Sequence, residues 1–153
     1  MLTTAALRSA IVDHLRVGLV VVDQDNRIVL FNRMAGEMLQ EDPAERCGST
    51  ILSCHPSESD AKVEQLIGDI KAGALDHYEG WVNYRGRMLY EYILPIRGPG
   101  GEYLGMANEL HDAADRAGMM RRLGEWKDVH LSGVGARAPR GAEFGEDHGS
   151  DNP

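Results

Sequence analysis

Gly18-Leu-Val-Val-Val-Asp23, Gln24-Asp-Asn26 and Arg27-Ile-Val-Leu-Phe31, closed by Asn32, form the stretch on which the reading of the fold turns. The two outer runs are rich in β-branched residues, which favour extended backbone, and the Asp and Asn between them tolerate turn geometry, so the stretch reads as a β-hairpin. From Asn32 the pattern changes period. In Arg33 to Gln40 the apolar Met34, Ala35, Met38 and Leu39 recur at helical spacing, which turns the chain from strand into a short helix.

Upstream of the hairpin, Thr3 or Thr4 caps a helix through about Leu15, with Leu7, Ile11 and Leu15 forming one apolar stripe before Gly18 stops it. Downstream, Asp42 to Ser49 reads as connecting loop. Ser57 to Asp60 caps a further helix whose apolar face is Ala61, Val63, Leu66, Ile67 and Ile70, ending at Gly73. Three strands follow, Tyr78 to Tyr84, Met88 to Arg97 and Tyr103 to His111, separated by Arg85-Gly86-Arg87 and by Gly98-Pro-Gly-Gly101, both good hairpin connections. From Asp112 the chain is helical again, with Ala113, Ala117, Met120, Leu123 and Trp126 on one side. The order β-β-α-α-β-β-β predicts an α+β fold, a five-stranded antiparallel sheet with helices on one face, flanked by N- and C-terminal helices. The divisions are 1–17 for the first flanking helix, 18–112 for the core, 113–127 for the second flanking helix and 128–153 for a tail expected to be disordered. Besides Leu131, only Val134 and Phe144 are large and apolar beyond His130, too few to offset ordering entropy.

The 153 residues, 42% of them hydrophobic, suit one globular domain. With 24 acidic and 16 basic residues the net charge is −8, the wrong sign for holding a phosphate backbone, so no direct nucleic-acid contact is expected. No apolar run reaches the roughly 18 residues of a membrane span, and the first residues lack the pattern of a secretory signal. A cytoplasmic location without membrane contact is expected. Cys47 and Cys54 match neither a redox pair nor a zinc set, and no covalent haem attachment motif is present. His14, His77, His130 and His148 have no metal-ligand spacing, and no glycine-rich nucleotide loop follows a strand.

The hairpin ending in Asn32, followed by Met34-Ala35 and Leu39, resembles the opening of PAS domains. The likeness continues through His55-Pro56, the Arg85-Gly86-Arg87 hairpin, Leu94-Pro-Ile-Arg97, the Gly101 turn and the His111-Asp112 strand end. It covers Gly18 to about Arg122 and implies a sensory or interaction module. Its pocket would lie between sheet and helices, and its flanking helices would form a homodimer. A narrower likeness concerns Cys54-His-Pro-Ser-Glu-Ser-Asp-Ala-Lys-Val63 and Gly80-Trp-Val-Asn-Tyr84. These are similar to PAS domains attached to hemerythrin-like modules and to the haem PAS domain of a carbon-monoxide-responsive regulator. That resemblance implies a haem b ligand at His55. Where that regulator carries a Met as its other axial ligand, Gly80 or Trp81 stands here, so that the other axial position is empty, water-bound or filled by a different residue.

His55, beside Pro56 at a helix start, is the candidate metal ligand, its second ring nitrogen free to find a partner that fixes the tautomer. A His-Pro step there is also explained by helix geometry alone. Period-two alternation puts Leu104, Met106, Asn108 and Leu110 on one face of the last strand. Asn108 breaks that apolar face; it either donates to a bound diatomic or satisfies backbone near a bulge. Met106 is either a soft axial ligand or core. Trp81 and Tyr90 wall a flat macrocycle or pack within the sheet, and Arg46, Lys62 and Arg97 pair with propionates or are plain surface charges. Three functions follow: a haem sensor of a diatomic gas or redox state, a small haem-dependent enzyme acting on oxygen, peroxide or a nitrogenous substrate, and a cofactor-free module binding a partner protein or a small-molecule metabolite.

Overall fold

A computed structural model describes residues 3–54 and 60–125. Helix α1 (Thr4–His14) starts where Thr3 accepts a hydrogen bond from the Ala6 N–H at 3.2 Å. Then come strand β1 (Gly18–Asp23), strand β2 (Ile28–Phe31), helix α2 (Arg33–Leu39), the short helix α3 (Pro43–Arg46) and a 3-10 turn (Ile51–Cys54). Helix α4 (Asp60–Ala72) leads into β3 (Tyr78–Tyr84), β4 (Arg87–Arg97) and β5 (Tyr103–Asp112), and α5 (Ala113–Glu125) follows without a break. The expected hairpins and strand limits agree with these to within a residue. Asp42 to Ser49 is not simply loop: Asp42 caps the Ala44 N–H at 2.8 Å and Pro43 takes the first helical position, where its missing N–H costs nothing, so one helical turn forms.

The sheet is antiparallel throughout, in the order β2-β1-β5-β4-β3. The last strand in sequence therefore lies at its centre. The β3–β4 connection is the two-residue loop Arg85-Gly86 with φ of 50° and 80°, the pair of left-handed residues that matches the twist of flanking strands. Between β2 and β3 the chain crosses the sheet through α2, α3 and α4, with α2 packing on β1 and α4 on β4. The core lies between these helices and one sheet face. It comprises Val20, Val22, Ile28, Phe31, Leu89, Ile93, Met106 and Leu110 from the strands, with Ala35, Met38, Ile67 and Ile70 from α2 and α4. Each large apolar side chain fully buried there contributes about 1.5–3 kcal/mol.

Asn32 joins the first helix to this core. It is 1% exposed and uses its whole side chain: Oδ1 accepts from Leu19 N at 2.8 Å and Ala35 N at 2.9 Å, while Nδ2 donates to Val12 O at 3.0 Å and Val17 O at 2.9 Å. One amide thus caps α2 and fastens the end of α1 to the start of β1. The apolar stripe of α1 is left in solvent, with Leu7 49% and Ile11 53% exposed.

Candidate functional site

On the helix-facing side of the sheet three polar residues of adjacent strands, Tyr78, Glu91 and Asn108, stand close together. Register explains their proximity. On β4 the residues facing the helices are Leu89, Glu91 and Ile93; Ile93 lies opposite Asn108 of β5 and opposite Tyr78 of β3, and Glu91 lies opposite Leu110 and Gly80. Asn108 Nδ2 donates to Glu91 Oε2 at 2.9 Å along the diagonal. The Tyr78 hydroxyl leans over Gly80, 2.5 Å from where a Cβ would stand, so the absence of a side chain at residue 80 makes room for it.

Burial raises the Glu91 carboxyl above its ordinary value of 4.5, and the Asn108 hydrogen bond only partly offsets this. Burial also raises the Tyr78 hydroxyl, and the nearby Glu91 charge raises it further. Among the described residues no Lys, Arg or His forms an ion pair with Glu91. Asn108 Oδ1 is buried with no hydrogen-bond partner. A buried amide oxygen left this way costs about 1–3 kcal/mol. The arrangement is a patch with spare hydrogen-bond acceptors among apolar core residues of the inner sheet face.

Of the sequence candidates, Met106 and Asn108 lie on this inner face, Met106 as a buried core residue. Trp81 and Tyr90 do not join them. They pair with one another across β3 and β4 on the opposite, outer face, where Trp81 is 55% exposed and meets Tyr90 edge-on at 4.9 Å. Tyr90 donates to Glu79 beside it, and burial followed by that hydrogen bond pushes its hydroxyl up to about 12. Arg116 of α5 stacks over its ring at 4.8 Å. One ligand on the inner face therefore cannot touch both pairs. His55 lies outside the described residues. Among those described, no three His, Cys, Asp or Glu side chains converge to hold a metal ion.

The remaining candidates have structural partners. Arg46 pairs with Glu41 at 2.8 Å, and Glu41 also accepts from the Tyr84 hydroxyl at 3.2 Å and Arg85 at 3.3 Å, linking the α2–α3 segment to the β3–β4 hairpin. Arg97 donates to the Ile70 and Gly101 carbonyls, both at 3.2 Å. Lys62 is exposed on α4.

Four residues after Asn108, β5 passes into α5 at Asp112. Its Oδ1 accepts from Ala114 N at 2.7 Å and Asp115 N at 3.2 Å, and its Oδ2 accepts from Arg87 Nε of β4 at 2.6 Å. The guanidinium hydrogen bond holds the Asp112 carboxyl below its ordinary value. Beside this junction a cleft of about 370 Å³ lies between Arg16, His111, Asp115, Arg116 and Arg122.

A five-stranded antiparallel sheet in this order, its crossing helices on one face and a helix continuing from its central strand, is the PAS arrangement. A PAS domain family model matches residues 9–112, and the chain belongs to that family. Among solved structures it is similar to the PAS domain of BvgS from Bordetella pertussis, with 19% identity, a TM-score of 0.60, and coverage of 80% of this chain and 95% of that one. A sensory box histidine kinase from Vibrio cholerae matches at 19% identity and TM-score 0.53, over 72% of this chain and 92% of that one. The Aer2 receptor from the same organism, described as a dual PAS-haem oxygen sensor, matches at 19% identity and TM-score 0.53, over 63% and 94%. No curated protein sequence matches at a significant level.

Proposed function

We propose that this PAS domain is a small-molecule sensor that holds its ligand between the inner face of the sheet and the crossing helices and signals through α5. The observation that carries this reading is the partnerless Oδ1 of Asn108, buried beside Glu91 on the central strand. Buried polar atoms are normally paired, and one left bare on the inner sheet face is a place where a ligand completes the bonding. The output route is covalent. Asn108 and the Asp112 cap are four residues apart on one strand, about 13 Å at 3.3 Å per residue, so a shift of β5 reaches the first turn of α5 directly. The exposed stripe of α1 supports homodimerisation through the flanking helices, the state in which rotation of α5 would be felt by a second copy. Backbone amide spectra recorded while adding small-molecule fragments test the reading. Binders should move Val20, Tyr78, Glu91 and Asn108 together with Ala113 to Arg116; shifts confined to the outer face would reject it.

A second reading is a haem sensor of a diatomic gas. It is favoured by the resemblance around Cys54-His55-Pro56 and by the likeness to the Aer2 receptor. His55 would hold the iron, and the haem would supply the gas-binding centre. The described residues fit the distal side poorly. An iron-bound diatomic accepts hydrogen bonds, whereas the bare atom of Asn108 is itself an acceptor, and Trp81 and Tyr90 stand on the other face. An absorption spectrum of protein produced with haem supplied decides: a Soret band lost in His55→Ala supports this reading, and colourless protein rejects it.

A further inference from the structure

We infer that the Glu91–Asn108 pair selects a small organic cation carrying at least two N–H donors, of the protonated amine or amidine class. This rests on the inner-face site proposed above and adds what that site takes. Acceptors outnumber donors at this pair. An ionised carboxylate accepts at about four positions and an amide oxygen at two. Asn108 Nδ2 fills one carboxylate position at 2.9 Å, and Asn108 Oδ1, buried, receives nothing. The Tyr78 hydroxyl, over Gly80, supplies one further group that both donates and accepts. Around them the inner face is apolar, with Leu89, Ile93 and Leu110 as the nearest neighbours in register.

Charge points the same way as the count. A carboxylate in an apolar surrounding is costly unless a cation joins it, and among the described residues the protein supplies none to Glu91. A ligand ammonium or amidinium placed between Glu91 and Asn108 Oδ1 would donate to both, and its apolar remainder would rest on Leu89, Ile93 and Leu110. An anion would face the Glu91 charge and a partnerless acceptor. A neutral alcohol offers one donor and no charge.

The experiment titrates the full chain with benzamidine, benzylamine, benzyl alcohol and benzoate, four probes of one ring and different head groups. Affinity is read by calorimetry and location by backbone amide shifts. Benzamidine and benzylamine should bind at least tenfold more tightly than benzyl alcohol and benzoate, with shifts centred on Tyr78, Glu91 and Asn108. Glu91→Gln keeps the shape and removes the charge; it should weaken benzamidine tenfold or more and leave benzyl alcohol unchanged. Asn108→Leu should weaken both cations. Equal or tighter binding of benzoate or benzyl alcohol at the inner face would overturn the ligand class and leave the inner-face site standing. Failure of every probe to perturb the inner face would overturn both. Benzamidine affinity unchanged in Glu91→Gln would overturn the assigned pair even where a cation binds.

Discussion

Replacing Asn32 tests how the first flanking helix is joined to the sensing core. Its side chain makes four hydrogen bonds at 2.8–3.0 Å while 1% exposed, two accepted from Leu19 and Ala35 and two donated to Val12 and Val17. Asn32→Ala removes all four and leaves their backbone partners short of bonds. At about 1 kcal/mol net per bond the loss is about 4 kcal/mol, a large fraction of the roughly 5–15 kcal/mol that holds a domain together. For a domain of this size about 4 °C is lost per kcal/mol, so the melting temperature should fall by about 16 °C. Asn32→Asp separates the two halves of the hub. It retains an oxygen for Leu19 N and Ala35 N but turns a second oxygen toward the Val12 and Val17 carbonyls, so α2 should keep its cap while α1 loosens. Thermal denaturation measures the first effect and hydrogen exchange along residues 4–14 the second. A loss below about 1 kcal/mol for Asn32→Ala, or unchanged protection of α1 in Asn32→Asp, would refute the assignment of Asn32 as the joint.

Glu91 titrates higher in the folded chain than its ordinary 4.5, so the folded state holds that proton more tightly, and stability falls as pH rises from near 4.5 through the folded value. Glu91→Gln should therefore melt higher than the unmodified chain above that window and show no such decline; a variant that melts lower at neutral pH would contradict the burial of this acid. Glu41 and Asp112 titrate lower when folded, chiefly through Arg46 and Arg87, so their contributions are present above the unfolded values and disappear as pH falls through the folded ones. Asp112→Ala should cost about 0.5–2 kcal/mol from the cap and lower the helicity of α5 in circular dichroism, with Arg87→Ala giving part of the same loss. Replacing Leu7 and Ile11 by Glu should turn a dimer seen by light scattering into a monomer, since both side chains are about half exposed on α1; a double variant that stays dimeric would place the interface elsewhere.

The fold was legible because each element announced itself by period. β-branched runs flanked Gln24-Asp25-Asn26, helical spacing followed Asn32, and glycine-bearing turns stood at Gly86 and Gly101. The α3 turn was missed because four residues are too few for a period, although Asp42-Pro43 carried the capping signal. The site was half legible. Alternation placed Asn108 and Met106 on one face of β5, where they are, and identified Asn108 as the break in it. On β4 Tyr90 takes the second of its two readings, packing within the sheet beside Trp81. Tyr90, Tyr92 and Trp81 lie on the outer face, and Leu89, Glu91 and Ile93 face the helices. Both faces of that strand mix apolar and polar groups, so periodicity alone does not say which is inward; only the pairing of Ile93 with Asn108 across the sheet does. The overlooked signal was a lone acid alternating with Leu89 and Ile93, opposite a strand that also carried one polar break.

The most direct test of the inner-face account is where a bound cation sits, read from isotope-filtered nuclear Overhauser contacts between unlabelled benzamidine and labelled protein. Contacts from its amidinium and ring protons to the Asn108 side-chain amide, the Tyr78 ring and the Leu110 methyls are predicted. Contacts to Trp81 and Tyr90 on the outer face, with none to Asn108, would contradict it.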